Sequence, residues 1–251
     1  MKLSFSVILA GIISLAAFGE TVVTNAQPQA VTPASRIGNE GYGTPGWWSD
    51  RHEARLHQIA AKKDHVFDLV FFGDSITHHW ESCGKDTFAK LCGTYSILNL
   101  GYSGDHTENL LWRGMHGELD GYRAKCIMLM IGTNNTWHRW DKPEDTAAGI
   151  RAILDLIAVK QPQAKTLLLP IFPFGDKPEH PNRVNNEAVN AIIKGYADGE
   201  KVLWVDFNAQ FLDEKGDTIK WMPDRCHPNA EGYRDVWAPA VLPYFQRLCG
   251  K

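Results

Sequence analysis

Val70-Phe71-Phe72-Gly73-Asp74-Ser75-Ile76-Thr77 is an apolar run that stops abruptly at Gly-Asp-Ser. Four to seven unbroken apolar residues before a turn suit a strand covered on both faces, as in a parallel sheet flanked by helices. Further runs repeat the pattern. Strands are predicted over Val66 to Phe72, Tyr95 to Leu100, Cys126 to Ile131, Thr166 to Ile171 and Val202 to Phe207. Between them, Ala147, Ile150, Ile153, Leu154 and Ile157 recur at helical spacing behind Pro143, predicting a helix from Pro143 to Ala158. Helices are also predicted over Arg183 to Tyr196 and Asn229 to Leu248, the last bent or divided by Pro239 and Pro243. The alternation predicts a three-layer α/β/α sandwich on a five-stranded parallel sheet. Sites in such folds lie at the carboxyl ends of the strands, and Ser75, Gly101 and Asn134 each follow a predicted strand end.

The N-terminus reads differently. Met1-Lys2 precedes a stretch from Leu3 to Phe18 that is apolar apart from Ser4, Ser6, Gly11 and Ser14, and small and polar residues follow. This predicts a signal peptide over residues 1–26, with cleavage after Gly19 or Ala26, and hence a secreted or periplasmic protein. The stretch is short for a membrane span, so no stable insertion is expected once it is removed. No Cys stands at its end, which argues against a lipoprotein. Residues 27–45, mixing Gln, Pro, Ser, Thr and Gly, read as a flexible lead-in, and 46–251 as one catalytic domain. A net charge of −3 without a Lys/Arg run leaves no footprint for nucleic acid. Of the five Cys, 83, 92, 126, 226 and 249, an odd number, at least one stays unpaired in a monomer. Cys83 and Cys92 are near enough in sequence to pair, Cys126 reads as a buried hydrophobe, and none shows the CxxC spacing of a metal site.

A serine hydroxyl becomes a nucleophile when a base takes its proton and a third group fixes that base. Asp224-Arg225-Cys226-His227-Pro228 holds a carboxylate and an imidazole three residues apart. Ser75 is the candidate nucleophile, His227 the base and Asp224 the orienting carboxylate. Singly, Gly-Asp-Ser is a common turn or helix cap and Asp-x-x-His is frequent by chance. Their joint placement with Gly101 and Asn134 favours catalysis. Candidate oxyanion donors are the Ser75 and Gly101 backbone N–H groups and the Asn134 side chain.

These residues resemble the blocks of the SGNH hydrolases, the GDSL esterase/lipase superfamily. Gly73-Asp74-Ser75-Ile76 matches the first block, Gly101 the second, Gly132-Thr133-Asn134-Asn135 the third and Asp224 to Pro228 the last. The resemblance implies a flavodoxin-like sandwich, a Ser75–His227–Asp224 triad and an oxyanion hole from Ser75, Gly101 and Asn134. Asn135 stands where the third block commonly has Asp. That variant, with Gly101 to Asp105 and Leu111-Trp112-Arg113, is similar to the platelet-activating-factor acetylhydrolase β/γ-like subgroup.

Competing motifs fail on spacing. Gly101-Tyr102-Ser103-Gly104 closes one residue early for Gly-x-Ser-x-Gly, and His52 to His57 is one residue too long for HExxH. No GxGxxG surrounds residue 101, so no nucleotide cofactor is implied; no cofactor or metal is expected. Adjacent His78 and His79 read as surface or turn residues, and Asp105 and Glu108 as a structural acidic pair at a helix start. Trp47, Trp48, Trp80, Trp112, Trp137 and Trp140 fall near the strand-end side or in loops, where aromatic faces can stack on sugars, although core packing is favoured for any one of them. The expected substrate is a short acyl, chiefly acetyl, ester on a small molecule or polysaccharide, with a short-acyl lipid ester as the alternative. A catalytically silent binding protein and a metal-dependent phosphoesterase are the rival classes; the complete Ser, Asp, His, Gly and Asn set and the lack of ligand-spaced Asp and His clusters argue against them. The sequence leaves oligomeric state open.

Overall fold

A computed structural model describes residues 27–41 and 43–251. After a 3-10 turn at Gln29–Val31, helix α1 (Trp47–Ala60) leads to strand β1 (Val66–Gly73) and a single helical turn, α2 (Ser75–His78). Helix α3 (Lys85–Cys92), strand β2 (Ile97–Gly101), helix α4 (Thr107–Arg113) and strand β3 (Arg123–Met130) follow. Next come α5 (Thr133–Arg139), α6 (Pro143–Lys160), β4 (Lys165–Leu168), α7 (Pro181–Ile193), β5 (Val202–Trp204) and α8 (Ala238–Cys249). All strand pairs are parallel, in the order β2-β1-β3-β4-β5. The chain steps outward from β1 to β2, then returns to the other side of β1 with β3, so the order reverses at the β1/β3 boundary. Loops leaving the two strands part there and open a crevice, the usual ligand position in such sheets.

Alternation along the strands divides the core into two layers. Val70 and Phe72 of β1, with Ile127 and Leu129 of β3, meet Leu110, Ile150, Ile153 and Ile193 on one face. Leu69, Phe71, Cys126 and Met128 meet Ile76, Trp80, Trp237 and Phe245 on the other. The expected α/β/α sandwich with five parallel strands is present.

Several boundaries differ. Residue 95 closes the turn after α3, its N–H bonded to Leu91 O, so β2 begins at Ile97. Strand β4 ends at Leu168 although the apolar run continues. At Ile171 the backbone N–H and C=O are instead taken by the Asn190 and Asn208 side chains. Pro243 lies inside α8, and the break falls earlier, where a π-helical run, Gly232–Trp237, joins it.

The predicted signal segment lies outside the described residues. The lead-in expected to be flexible is packed over its first part: Ala30 is buried, and its carbonyl accepts from Thr107 Oγ1 at 2.9 Å. Asn109 Nδ2 donates to Ala34 O at 2.9 Å, and Arg36 Nη1 to Ser103 O at 2.8 Å. Polar composition did not reveal this because the anchoring partners belong to distant helices and loops. Cys83 and Cys92 are free thiols, as are the other three. Cys92 ends α3 and Cys83 precedes its start, so the eight-residue helix separates their backbones by roughly 10 Å, beyond the ~7 Å limit for a disulfide. No helix among the described residues is long and apolar enough to cross a membrane.

Candidate active site

Strand β1 delivers Ser75 to the crevice through a tight joint. A Cβ on Gly73 would sit 2.3 Å from Met130 O and 2.3 Å from Thr77 Oγ1, so only glycine lets the chain leave the sheet here. Asp74 then caps α2, its Oδ1 accepting from Ile76 N at 3.0 Å. Ser75 is the first helical residue, and its backbone N–H has no acceptor among the described residues.

Asp224 and His227 come from the loop before the C-terminal helix. Arg225, with φ of 60°, turns the chain back, and the Asp224 carboxylate holds that turn by accepting from Cys226 N (3.0 Å) and His227 N (2.7 Å) at Oδ1. Its other oxygen meets His227 Nδ1 at 2.7 Å. A carboxylate only accepts, so Nδ1 carries the proton and Nε2 presents its lone pair. That lone pair faces Ser75 Oγ at 2.8 Å. Burial opposes the Asp224 charge, but the His227 backbone and ring donors outweigh it and hold the carboxyl below its ordinary value. The three residues proposed from the sequence are thus joined in one hydrogen-bonded chain.

Of the candidate oxyanion donors, Asn134 reaches the cleft and Gly101 does not. Asn134, buried at the start of α5, gives one amide hydrogen to Asp105 O at 2.8 Å, which orients the group, and it lines the cleft beside Ser75. Gly101 does not serve as expected. Its N–H is bonded to Asn99 Oδ1 at 2.9 Å, and a Cβ there would lie 2.2 Å from His78 N. Gly101 is a glycine so that α2 can pack on the end of β2. Ser103, two residues on, lines the cleft instead, and its backbone N–H has no acceptor among the described residues. The neighbouring Gly104 N–H likewise has no acceptor among the described residues.

The cleft has a volume of about 330 Å³ and is also walled by His79, Trp137 and His138. The sequence assigned His79 to the surface, yet its ring lies 4.9 Å from that of His227. Burial first, and the neighbouring His227 second, lower its pKa to about 4, so the His79 ring is neutral at neutral pH. His78 bonds Ser103 Oγ at 3.1 Å and stacks on Trp47. Among the expected aromatic platforms, Trp48 and Trp80 are core residues, whereas Trp137 is 44% exposed at the cleft. His52 is buried and bonded to Glu118 at 2.9 Å, in keeping with its failure as a metal motif. No group of three or more His, Cys, Asp or Glu among the described residues is placed to hold a metal ion.

Beneath the cleft lies a buried charge cluster that the sequence suggested only in part. Arg113 binds Asp105 Oδ2 at 2.8 Å, Glu118, and the strand-end carbonyls of Gly73 (3.3 Å) and Leu100 (3.2 Å). Trp48 Nε1 and Arg36 Nη1 reach the other Asp105 oxygen at 2.8 and 3.0 Å. Asp105 is therefore structural, as expected, but as the floor of the site: its backbone carbonyl aims Asn134.

An α/β/α sandwich with a hydrogen-bonded Ser–His–Asp set at the strand-order reversal is the arrangement that the resemblance to the SGNH hydrolases implied. The profile of the GDSL-like Lipase/Acylhydrolase family matches residues 71–234, and the chain belongs to that family. It is 32% identical over 208 residues to human platelet-activating factor acetylhydrolase IB subunit alpha1, covering 82% of this chain and 84% of that one. It is 39% identical over 179 residues to the alpha2 subunit of Bos taurus, covering 70% and 76%. Among solved structures, a GDSL-like lipase from Bacteroides thetaiotaomicron superposes with TM-score 0.65 at 21% identity, covering 79% of this chain and 97% of that one. An acetylxylan esterase from Geobacillus stearothermophilus superposes with TM-score 0.55 at 20% identity, covering 74% and 94%. At these identities the two structures show the shared fold.

Proposed function

We propose that the protein is a serine esterase that removes short acyl groups, chiefly acetyl, from hydroxylated substrates such as acetylated carbohydrate. The observation that carries this reading is the chain Ser75 Oγ, His227 Nε2, His227 Nδ1, Asp224 Oδ2, with links of 2.8 and 2.7 Å. In the proposed reaction Ser75 Oγ attacks the ester carbonyl carbon while its proton passes to His227 Nε2. The Ser75 and Ser103 amides and the second Asn134 amide hydrogen stabilise the oxyanion. Collapse breaks the C–O bond, His227 protonates the departing alcohol, and the acyl group remains on Ser75. Water, deprotonated by His227, then releases the carboxylic acid and restores the serine. Asp224 stays ionised and keeps the imidazole in one tautomer.

The size of the cleft and Trp137 at its rim support a small acyl group on a ring-bearing alcohol. The relatives named acetylhydrolase support acetyl transfer to water and keep a lipid acetyl ester as the second reading. The test is a panel of acetylated xylo-oligosaccharides, acetylated monosaccharides and aryl esters of graded chain length, with Ser75→Ala as control. Loss of turnover with Ser75→Ala and a steep fall beyond acetyl or propionyl are expected; equal rates on acetyl and long-chain esters would overturn the short-acyl part.

Export is part of the same proposal. Residues 1–26 act as a removable signal, and N-terminal sequencing of the mature protein is expected to begin within residues 20–27; a retained Met1 would contradict it.

A further inference from the structure

A second cavity, of about 450 Å³, opens beside the Ser75 cleft. The two are contiguous: His138 lines both, and Ser103 lines the first while Gly104, next in the chain, lines the second. Its outer wall is the N-terminal segment around Arg36 and Asn39, and its inner wall is formed by His106, Asn109 and Arg139. We propose that this cavity is a substrate subsite for a neutral, hydroxyl-rich group, a saccharide portion of the ester lying beyond the reacting atoms. The inference rests on the esterase reading and names the substrate class of that site.

Three observations carry it. First, the lining is polar. A hydrocarbon chain gains little there, whereas hydroxyls can replace the water that such groups would otherwise bind. Second, the charges are compensated internally. Arg139 is paired with Glu108 and Asp141, and Arg36 with Asp105. Burial foremost, with Arg139 and His138 nearby, lowers His106 to a pKa of about 4 and keeps it neutral. A phosphate-bearing headgroup would find its cations already engaged, while a neutral polyol needs none. Third, the outer wall is built in advance. The hydrogen bonds to Ala30 O, Ala34 O and Ser103 O fasten it to α4 and to the oxyanion loop, so little ordering is left for the ligand to supply.

Asn39 supplies a test outside the catalytic machinery, because its side chain is exposed and its backbone alone bonds to Arg36 O. Ser35, exposed on the same wall, supplies a second position, and in Asn39→Trp or independently Ser35→Trp the indole is expected to fill the cavity. kcat/KM on acetylated xylo-oligosaccharides is expected to fall about tenfold or more, with p-nitrophenyl acetate turnover held within about twofold. Calorimetric binding of deacetylated xylo-oligosaccharide to Ser75→Ala protein is expected to vanish when Asn39→Trp is added. Equal losses on both esters, no loss on either, or no oligosaccharide binding without the block would each overturn the subsite. The esterase reading fails separately, if p-nitrophenyl acetate is not hydrolysed or its hydrolysis survives Ser75→Ala.

Discussion

Asn134 and Asn135 are neighbours with opposite duties, and the difference lies in where each amide hydrogen goes. Asn134 spends one on Asp105 O and keeps the other for the cleft. Asn135 spends both, on Thr107 Oγ1 and on Asp141 Oδ2 at 3.0 Å each, while its oxygen accepts from Thr107 N. An Asp at 135, the commoner residue of that block, would face the Asp141 carboxylate with no hydrogen to give. Here Asn is the residue that the Arg139–Asp141 pair requires. Replacing Asn134 by Ala removes a proposed oxyanion donor and is expected to lower kcat by about 10²–10³ with little change in KM. A KM effect alone would place Asn134 in ground-state binding. Gly101 shows the opposite error at this scale: a glycine at a strand end looked like an oxyanion donor, and its reason for being glycine is the backbone of His78.

At the scale of the element, α2 is one helical turn whose cap is fully buried. Asp74 Oδ1 accepts from Ile76 N, but Oδ2 has no hydrogen-bond partner among the described residues. Burial, reinforced by the nearby Asp105 charge, pushes the Asp74 pKa up to about 7. The folded state therefore holds a proton that the unfolded chain releases near pH 3.8. Stability from this group falls as pH rises from about 4 to 7 and stays low above. Asp74→Asn keeps the cap and cannot ionise, so its melting temperature is expected to rise relative to wild type between pH 5 and 8. A difference independent of pH would contradict the buried neutral acid. The strands and α6 were legible as elements because burial on two faces, or on one helical stripe, writes itself into residue order. Their ends were less legible. Where β4 stops depends on Asn190 and Asn208 reaching the backbone of Ile171, and those residues are distant in sequence.

At the scale of the molecule, the cleft stands on the charge cluster around Arg113. Burial opposes the charge of Glu118, yet Arg113, with His52 and Tyr102 donating, holds its carboxyl below the ordinary range. Arg113 also ties β1 to β2 through the Gly73 and Leu100 carbonyls. Arg113→Met would leave two buried carboxylates without their shared partner, a loss of about 3–5 kcal/mol, read as a marked drop in melting temperature; a change under about 1 kcal/mol would show the cluster to be dispensable. The free thiols are a second whole-molecule feature. Denatured without reductant, the chain from Cys83 to Cys249 is expected to titrate five thiols; three would show one disulfide and contradict five free thiols.

The sequence alone determined the sandwich and the parallel sheet, and it singled out Ser75, Asp224, His227 and Asn134 as residues of one candidate site. Apolar runs report burial locally, and catalytic residue types at strand ends are few. Only the tertiary structure decided that Ser103 and not Gly101 borders the cleft, that His79 packs on His227, and that the N-terminal segment becomes a wall. Each of these depends on which backbone groups are already hydrogen-bonded and which distant side chains arrive beside them. Residue order does not record those quantities until the chain has closed on itself.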